Sequence, residues 1–481
     1  MRAYVFFSVL EEFFFQICKR LVDAESLSDF SGTVWGIRSV RLLEQSGMDS
    51  SKLLLLSRVF RELPRKVDYR FLRTYEETAD GLPMPLVVAA DRVLCSRPYD
   101  EGTAHVEAAL RAVEGVFDRY SPDILLADDV SCIPSYAHYL VAKRRGIPVV
   151  MLGISRIPGR LAVYSNPMAI PEDLVCECGR IQSHGLSQNE RAVARSHIND
   201  FRQHAAEIDY MRYMSRAPGL RIRELPVLWK LWLDYRKDPL DYTAIPPAKA
   251  LADRIRRVAR YRFLSASYEQ PVPGENYVLF PLHYQPEAST SVRAPFFLDQ
   301  CALAENIARA LPAGYRLYVK EHAARLGSRS VRDLQRLRSI PSVRVIDPHA
   351  DVRALVRNAA CVAVITSTMG WEALLLGVPV VLFGEAFYGV CENVFRAGSP
   401  RDYPRLFREA IAFRAPDEIL EEFVAAVMNT TFPGCMGHPH YLPSVIEQKN
   451  IQQIADAVAK RCLAPRRAEH TGKVSAVAAA L

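Results

Sequence analysis

The chain lacks any apolar run approaching the roughly 18 to 20 residues that a membrane-crossing helix requires. It has no internal repeat at solenoid periods and no long low-complexity tract, which excludes a stacked-repeat architecture. Disulfide patterning is missing too. Ten Cys are scattered without a repeating spacing, so most read as small buried side chains in a reducing compartment. The one cluster, Cys176-Glu177-Cys178 with His184 nearby, is a single C-x-C and offers too little for a tetrahedral zinc site. No metal is expected. Excess charge is also absent: 61 Lys and Arg against 54 Asp and Glu leave +7, too mild to make nucleic acid the default partner. The apolar start, Ala3 to Leu10, is interrupted by Glu11 and Glu12 and has no small-residue cleavage site. It reads as a core strand and helix rather than a signal peptide. These absences together point to the cytoplasm.

What is present is a composition ordinary for a soluble globular protein, 49% hydrophobic and 24% charged. At 481 residues the chain is long enough for two large domains or three small ones. In the first half, Ala3–Val9, Ile124–Ala127 and Val149–Leu152 read as strands, and Thr33–Ile37 and Leu53–Leu56 are further short apolar runs. Helical spacings at Phe13–Leu21, Ala104–Tyr120 and Ser135–Arg145 alternate with them. Strands alternating with helices imply a parallel sheet. From Ser187 to Lys237 the chain is rich in Arg, Tyr and Trp and helical in pattern; Asp238-Pro239 and Ile245-Pro246-Pro247 then punctuate it, and Ala248 to Tyr261 reads as a basic helix leading out. The many Arg between Arg191 and Arg260 read as a solvated helical surface, or as a surface that docks on anionic lipid or an acidic glycan. The second half is a clearer series, with strands at Tyr277–Leu282, Tyr315–Lys320, Val343–Ile346, Cys361–Ile365 and Val380–Phe383. The expected fold class is therefore α/β with doubly wound sheets. The expected units are residues 1–185, a helical Arg-rich insertion at 186–265, and a second sheet domain at 266–463, whose last helix, Asn450 to Ala459, closes that domain or crosses back to the first. A disordered tail is expected at 464–481.

In a doubly wound sheet, ligands bind beyond the carboxyl ends of the strands. Four strand ends in the second half carry unusual side chains there. They are His283 to Thr290, Lys320-Glu321-His322, Asp347-Pro348-His349, and Thr366-Ser367-Thr368-Met369-Gly370 followed by Trp371-Glu372. Hydroxyls and backbone N–H groups at a helix N-terminus favour an anion. Lys320 can serve as a point charge, His322 as a donor to a phosphate oxygen, and Glu372 can reach a ribose hydroxyl. In the first half, Asp128 and Asp129 end the Ile124 strand, and Arg156 and Arg160 lie in a Pro-Gly loop after the Val149 strand. The two Asp are candidate general bases or helix caps. Glu287 is a candidate on the same terms. The two Arg are candidates for an anionic acceptor or for surface decoration. His438-Pro439-His440 reads as an exposed loop rather than a metal pair.

The stretch Phe280-Pro281-Leu282-His283-Tyr284-Gln285-Pro286-Glu287-Ala288-Ser289-Thr290, with Lys320-Glu321-His322 and Thr366 to Val380, resembles the bacterial capsular polysaccharide biosynthesis proteins. Ala323 stands where that family commonly has Pro. The resemblance implies a GT-B glycosyltransferase, with two Rossmann-like domains facing a cleft. It implies a nucleotide sugar in the C-terminal domain, CMP- or UDP-linked, and a glycan or glycolipid acceptor on the N-terminal one. No cofactor would be bound permanently. Gln285, Lys320, His322, Thr366, Ser367, Thr368, Gly370 and Glu372 would hold the donor, Glu287, Asp128 or Asp129 would supply the base, and Arg156 and Arg160 would meet the acceptor. Such a chain would work in the cytoplasm, peripheral on the inner face of the membrane or against export machinery. A sugar-nucleotide 2-epimerase and a non-catalytic nucleotide- or glycan-binding module are the alternative expectations.

Overall fold

A computed structural model describes residues 1–78, 82–204, 225–239, 241, 244–322, 326–414 and 416–463. The expected disordered tail and Ala323 lie outside the described residues. The chain opens with β1 (Arg2–Phe7), α1 (Glu11–Asp23), β2 (Asp29–Val34), α2 (Ile37–Gln45) and β3 (Leu53–Leu55). Five of the six β1 residues are buried, as a central parallel strand covered on both faces must be. After α3 (Tyr99–Tyr120) come β4 (Ile124–Ala127), α4 (Ile133–Arg144), β5 (Val149–Ile154) and β6 (Arg160–Tyr164). Ser121 ends α3 in a left-handed conformation, φ 50°, which turns the chain into β4. β1 pairs in parallel with β2 and β4, β2 with β3, and β4 with β5, giving the order β3-β2-β1-β4-β5. This is the strand order of a Rossmann-type sheet, whose switch point lies between β1 and β4. β6 then folds back antiparallel on β5. It was not expected from the sequence, because Arg160–Tyr164 is too short to stand out from its loop.

Among the described residues, four helices come next: α5 (Glu172–His184), α6 (Gln188–Gln203), α7 (Leu225–Lys237) and α8 (Pro247–Leu264). The second sheet comprises β7 (Tyr277–Pro281), β8 (Arg316–Lys320), β9 (Val343–Ile346), β10 (Cys361–Val364), β11 (Val380–Leu382) and β12 (Val394–Arg396). All its ladders are parallel, in the order β12-β11-β10-β7-β8-β9. Its switch point lies between β7 and β10. Its helices include α9 (Gln300–Ala310), α10 (Val331–Arg338), α11 (Thr368–Leu375) and α12 (Asp417–Thr430). The expected α/β architecture is present as two Rossmann-like sheets, the second with one strand more than the sequence signalled.

The divisions at 185 and 463 are corrected by the packing. Leu174 and Ile181 of α5 and Ala194 and Ile198 of α6 sit in the core of the second sheet, against Leu420 and Val424 of α12. The chain then returns through β13 (Phe432–Pro433), which pairs antiparallel with β6, and α13 (Gln448–Leu463). Ile451, Ile454 and Val458 of α13 pack with Phe13, Ile17 and Leu21 of α1, so this helix closes the first unit, not the second. Each amphipathic helix buries its apolar side on whichever sheet offers a facing apolar layer, and sequence position does not dictate which. Arg191 and Arg195 of α6 ion-pair with Glu421, which is 3% exposed, and Arg202 pairs with Asp417. This part of the basic segment is thus a solvated helical surface tied to the second unit by ion pairs, with the Arg195 side chain still more than half exposed. Among the described residues, no helix is long and apolar enough to cross a membrane.

Candidate active site

A cavity of about 350 Å³ opens where the carboxyl ends of the two sheets face each other. Asp128 and Asp129 enter it because β4, fully buried, runs straight to the edge of its sheet and delivers the next two side chains into the crevice. At the first switch point, Ser8, just beyond β1, donates to Asp128 Oδ2. Asp128 Oδ1 is buried without a hydrogen-bond partner. Burial pushes the Asp128 carboxyl up to about 6, against the lowering effect of the Ser8 bond. Asp129 pairs at 3.0 Å with Arg293 from the second unit, so an ion pair spans the cleft. Burial raises Asp129, and the Arg293 guanidinium opposes that rise. Arg293 also donates to Pro167 O at 3.0 Å. The sequence offered no sign of it, since a lone Arg after a short helical turn matches no motif.

A second cavity of about 360 Å³ lies beyond β7 and β8 and is lined by His283, Gln285, His322, Arg329 and Arg260, with Glu321 and Asp333. His283 is the joint between the two cavities. Its Nε2 accepts from the Thr366 N–H at 3.0 Å, across the second switch point. Burial pulls the ring down to about 3, so it is neutral near pH 7. With Nε2 accepting, the single ring proton is assigned to Nδ1. Nδ1 is buried without a partner, as is the hydroxyl of Ser328 in the same cavity. The guanidiniums of Arg260 and Arg329 stand in the same cavity, so it offers positive charge and polar donors to an anion. His283 stood within a motif but was not singled out, because its acceptor is a backbone group 83 positions away.

Residues 242–392 match the family described as capsule polysaccharide biosynthesis protein. The family expected from the sequence is the family matched. The matched segment contains the whole second cavity, Arg293 and the Thr366–Glu372 turn, and includes both strands of the switch point in its sheet. Among proteins of curated function, none matches the chain. Solved structures similar to it include two from Thermosulfurimonas dismutans, the KpsC β-Kdo 2,4 and β-Kdo 2,7 transferases. The 2,4 transferase is 15% identical with a TM-score of 0.37, over 70% of this chain and 87% of that one. The 2,7 transferase is 16% identical with a TM-score of 0.33, over 67% of this chain and 82% of that one. The UDP-GlcNAc 2-epimerase of Methanocaldococcus jannaschii is 9% identical with a TM-score of 0.31, over 89% of this chain and 100% of that one. Likeness at this level decides no activity.

Within the capsule-family segment, the expected donor residues divide. Thr366 and Thr368 line the cleft cavity, while Gln285 and His322 line the second. Thr366 Oγ1 is already committed to Ser289 O at 2.7 Å, and its N–H to His283. Ser367 is the N-cap of α11, its Oγ accepting from Met369 N–H at 3.2 Å. Gly370 makes room: a Cβ there would sit 2.6 Å from the Tyr388 hydroxyl. Glu372 lines neither cavity; burial raises its carboxyl, and Arg156 and Arg353 pull it back. Gln285 accepts from Gln300 Nε2 at 2.8 Å.

Three expectations fail on geometry. Lys320 is 3% exposed, lines neither cavity, and donates through Nζ to Pro348 O at 2.6 Å. Arg160 lies outside both cavities and donates to Met428 O at 2.7 Å and to Thr431 Oγ1 at 2.8 Å, fastening the carboxyl end of α12 to β6. Glu287 is exposed and lines neither cavity, its Oε2 accepting from Ser289 Oγ at 2.9 Å. Arg156 does reach the cleft cavity. His438 and His440 lie in an exposed loop, with His440 N–H donating to His438 Nδ1 at 3.1 Å.

The Lys320 placement makes a prediction. Burial holds its ammonium down to about 8, against about 10.4 when unfolded. The unfolded chain thus binds more protons between these values, and stability rises with pH across that window. Lys320→Met is expected to flatten this rise in urea titrations at pH 8 and 10, with nucleotide affinity unchanged within about threefold. A tenfold loss of affinity at unchanged stability would restore the ammonium to the ligand site.

Proposed function

We propose that the chain transfers a sugar from a CMP- or UDP-linked donor to a glycan or glycolipid acceptor of a capsular or other surface polysaccharide. The observation that carries this reading is the cleft itself. A carboxylate with an unsatisfied oxygen, Asp128, faces the Thr366 and Thr368 hydroxyl turn of the capsule-family segment across one cavity. In this reading the donor phosphate lies against His322, Arg329 and the Nδ1–H of His283, where preorganised donors stabilise the charge that develops on departure. The acceptor hydroxyl lies by Asp128. Its proton passes to the carboxylate as its oxygen bonds to the anomeric carbon, while the bond from that carbon to the phosphate oxygen breaks and the nucleotide leaves with the electron pair. Asp129 and Arg293 hold the two units in register, and Arg156 offers charge to an anionic acceptor. No resident cofactor or metal is needed for these steps.

The test is nucleotide release from purified protein given CMP- and UDP-sugars, with and without lipid-linked glycan acceptors. Release that requires acceptor, with the sugar found on the acceptor, is the expected result. Conversion of the donor without acceptor would replace transfer by epimerisation. Tight nucleotide binding without turnover on any acceptor would reduce the chain to a binding module.

A further inference from the structure

The helix pair α7–α8 presents apolar side chains that the fold leaves in water. On α8, Leu251, Ile255, Ala259 and Phe263 recur every four residues, the spacing that aligns side chains along one side of a helix. All four are exposed, Phe263 by 66%. On α7, which packs against α8, Trp229 is 62% exposed and Leu233 also reaches solvent. Trp229 stacks on Trp232 with ring centroids 4.9 Å apart, and the Arg236 guanidinium lies 4.8 Å above the Trp232 ring. Apolar side chains exposed along one side of α8, with Trp229 exposed on the helix packed against it, are costly in water and are what docking surfaces carry.

The pair is fixed rather than loosely attached. Asp238, directly after α7, is buried in the first unit, its Oδ2 accepting from Ile37 N–H at 3.1 Å and Ser57 Oγ at 2.7 Å. Val258 and Leu264 of α8 are buried, and Arg260 donates to Ser328 O of the second unit at 3.1 Å. Contacts to both units thus fix the orientation of the pair.

Charge selects the occupant. Residues 225–264 hold nine Lys and Arg against four Asp, a net +5 within a chain whose total is +7. Exposed members flank the apolar stripe, among them Lys230, Arg236, Lys249, Arg256 and Arg262. Aromatic and aliphatic residues on one side with Lys and Arg beside them are the composition of helices that lie in the headgroup layer of a bilayer. We infer that α7–α8 is a docking surface for a membrane rich in anionic phospholipid, with Trp229, Ile255 and Phe263 entering the headgroup boundary and the flanking cations meeting lipid phosphates.

Flotation of the full chain with vesicles tests this. The expected result is binding to phosphatidylcholine vesicles carrying about 30% phosphatidylglycerol, little binding to phosphatidylcholine alone, and loss in about 0.5 M salt. Ile255→Ser with Phe263→Ser, and separately Arg256→Glu with Arg262→Glu, are each expected to lower the bound fraction about tenfold. These positions are exposed, so unchanged thermal midpoints would show that both variants fold. Equal binding to neutral and anionic vesicles overturns the inference, as does undiminished binding by both variants. So does absence of vesicle binding together with a dimer, seen by light scattering, that the Ile255/Phe263 variant dissociates.

Discussion

Asp128→Asn is expected to lower the rate of sugar transfer by about 10²- to 10⁴-fold, the range ascribed to a positioned proton acceptor. The substitution keeps the side chain's shape and lets it still accept from Ser8, so nucleotide affinity should stay within about twofold. The wild-type rate should fall as pH drops through about 6, where the Asp128 carboxyl takes up its proton. The same substitution should stabilise the protein above that pH. The folded-state value is raised, from about 3.9 in the unfolded chain. The folded protein therefore binds more protons between about 4 and 6, and the stability this gives is lost as pH rises through 6. Asn carries no charge to bury, so its melting midpoint should exceed wild type at pH 8, by an amount worth up to about 3 kcal/mol, and match it near pH 4. Thermal melts at the two pH values with single-turnover assays decide the matter. A variant that is less stable at pH 8 and retains its rate would make Asp128 an anchor for Ser8 and nothing more.

Gly370→Ala is expected to destabilise the second unit by about 2 to 4 kcal/mol. Gly370 has an ordinary helical backbone, so the reason is space and not conformation. Its new methyl would sit 2.6 Å from the Tyr388 hydroxyl and 2.7 Å from the ring carbon bearing it. Tyr388 is 1% exposed, and its hydroxyl donates to Ser367 O at 2.5 Å, so the ring cannot move without breaking the bond that holds the α11 cap. Cutting Tyr388 to Leu should relieve the clash, and the double variant should lose less than the sum of the two single losses in urea titrations. If Gly370→Ala instead unfolds like wild type and loses nucleotide binding, the glycine is there to let a ligand approach and not to admit a ring.

The site was only partly legible in the sequence. Motif residues that stand together in the chain were found: Asp128, Asp129, Thr366, Thr368, Gln285, His322 and Arg156 all reach a cavity. Arg293 and the His283–Thr366 bond were not, because each acts on a group far away in sequence. Lys320 was misread for a related reason. A cation at a strand end looks available for phosphate until the loop after the neighbouring strand β9 folds over it and supplies Pro348 O. Arg160 fell likewise, its partners, Met428 O and the Thr431 hydroxyl, lying at the end of α12.

By itself, the sequence determined the alternation of buried strands and helices, and hence two parallel sheets, because apolar period and turn residues act within a few positions of each other. It also placed the polar side chains at the strand ends, since a strand that leaves the core must expose the residues after it. Tertiary structure alone decided which sheet each peripheral helix covers, so that α5 and α6 went to the second unit and α13 returned to the first. It also decided how the strand-end groups were shared out: two cavities, one buried lysine and an ion pair across the cleft. Those outcomes depend on contacts between segments from tens to hundreds of residues apart, where close packing and the pairing of buried charges set the energy and local pattern carries no record of them.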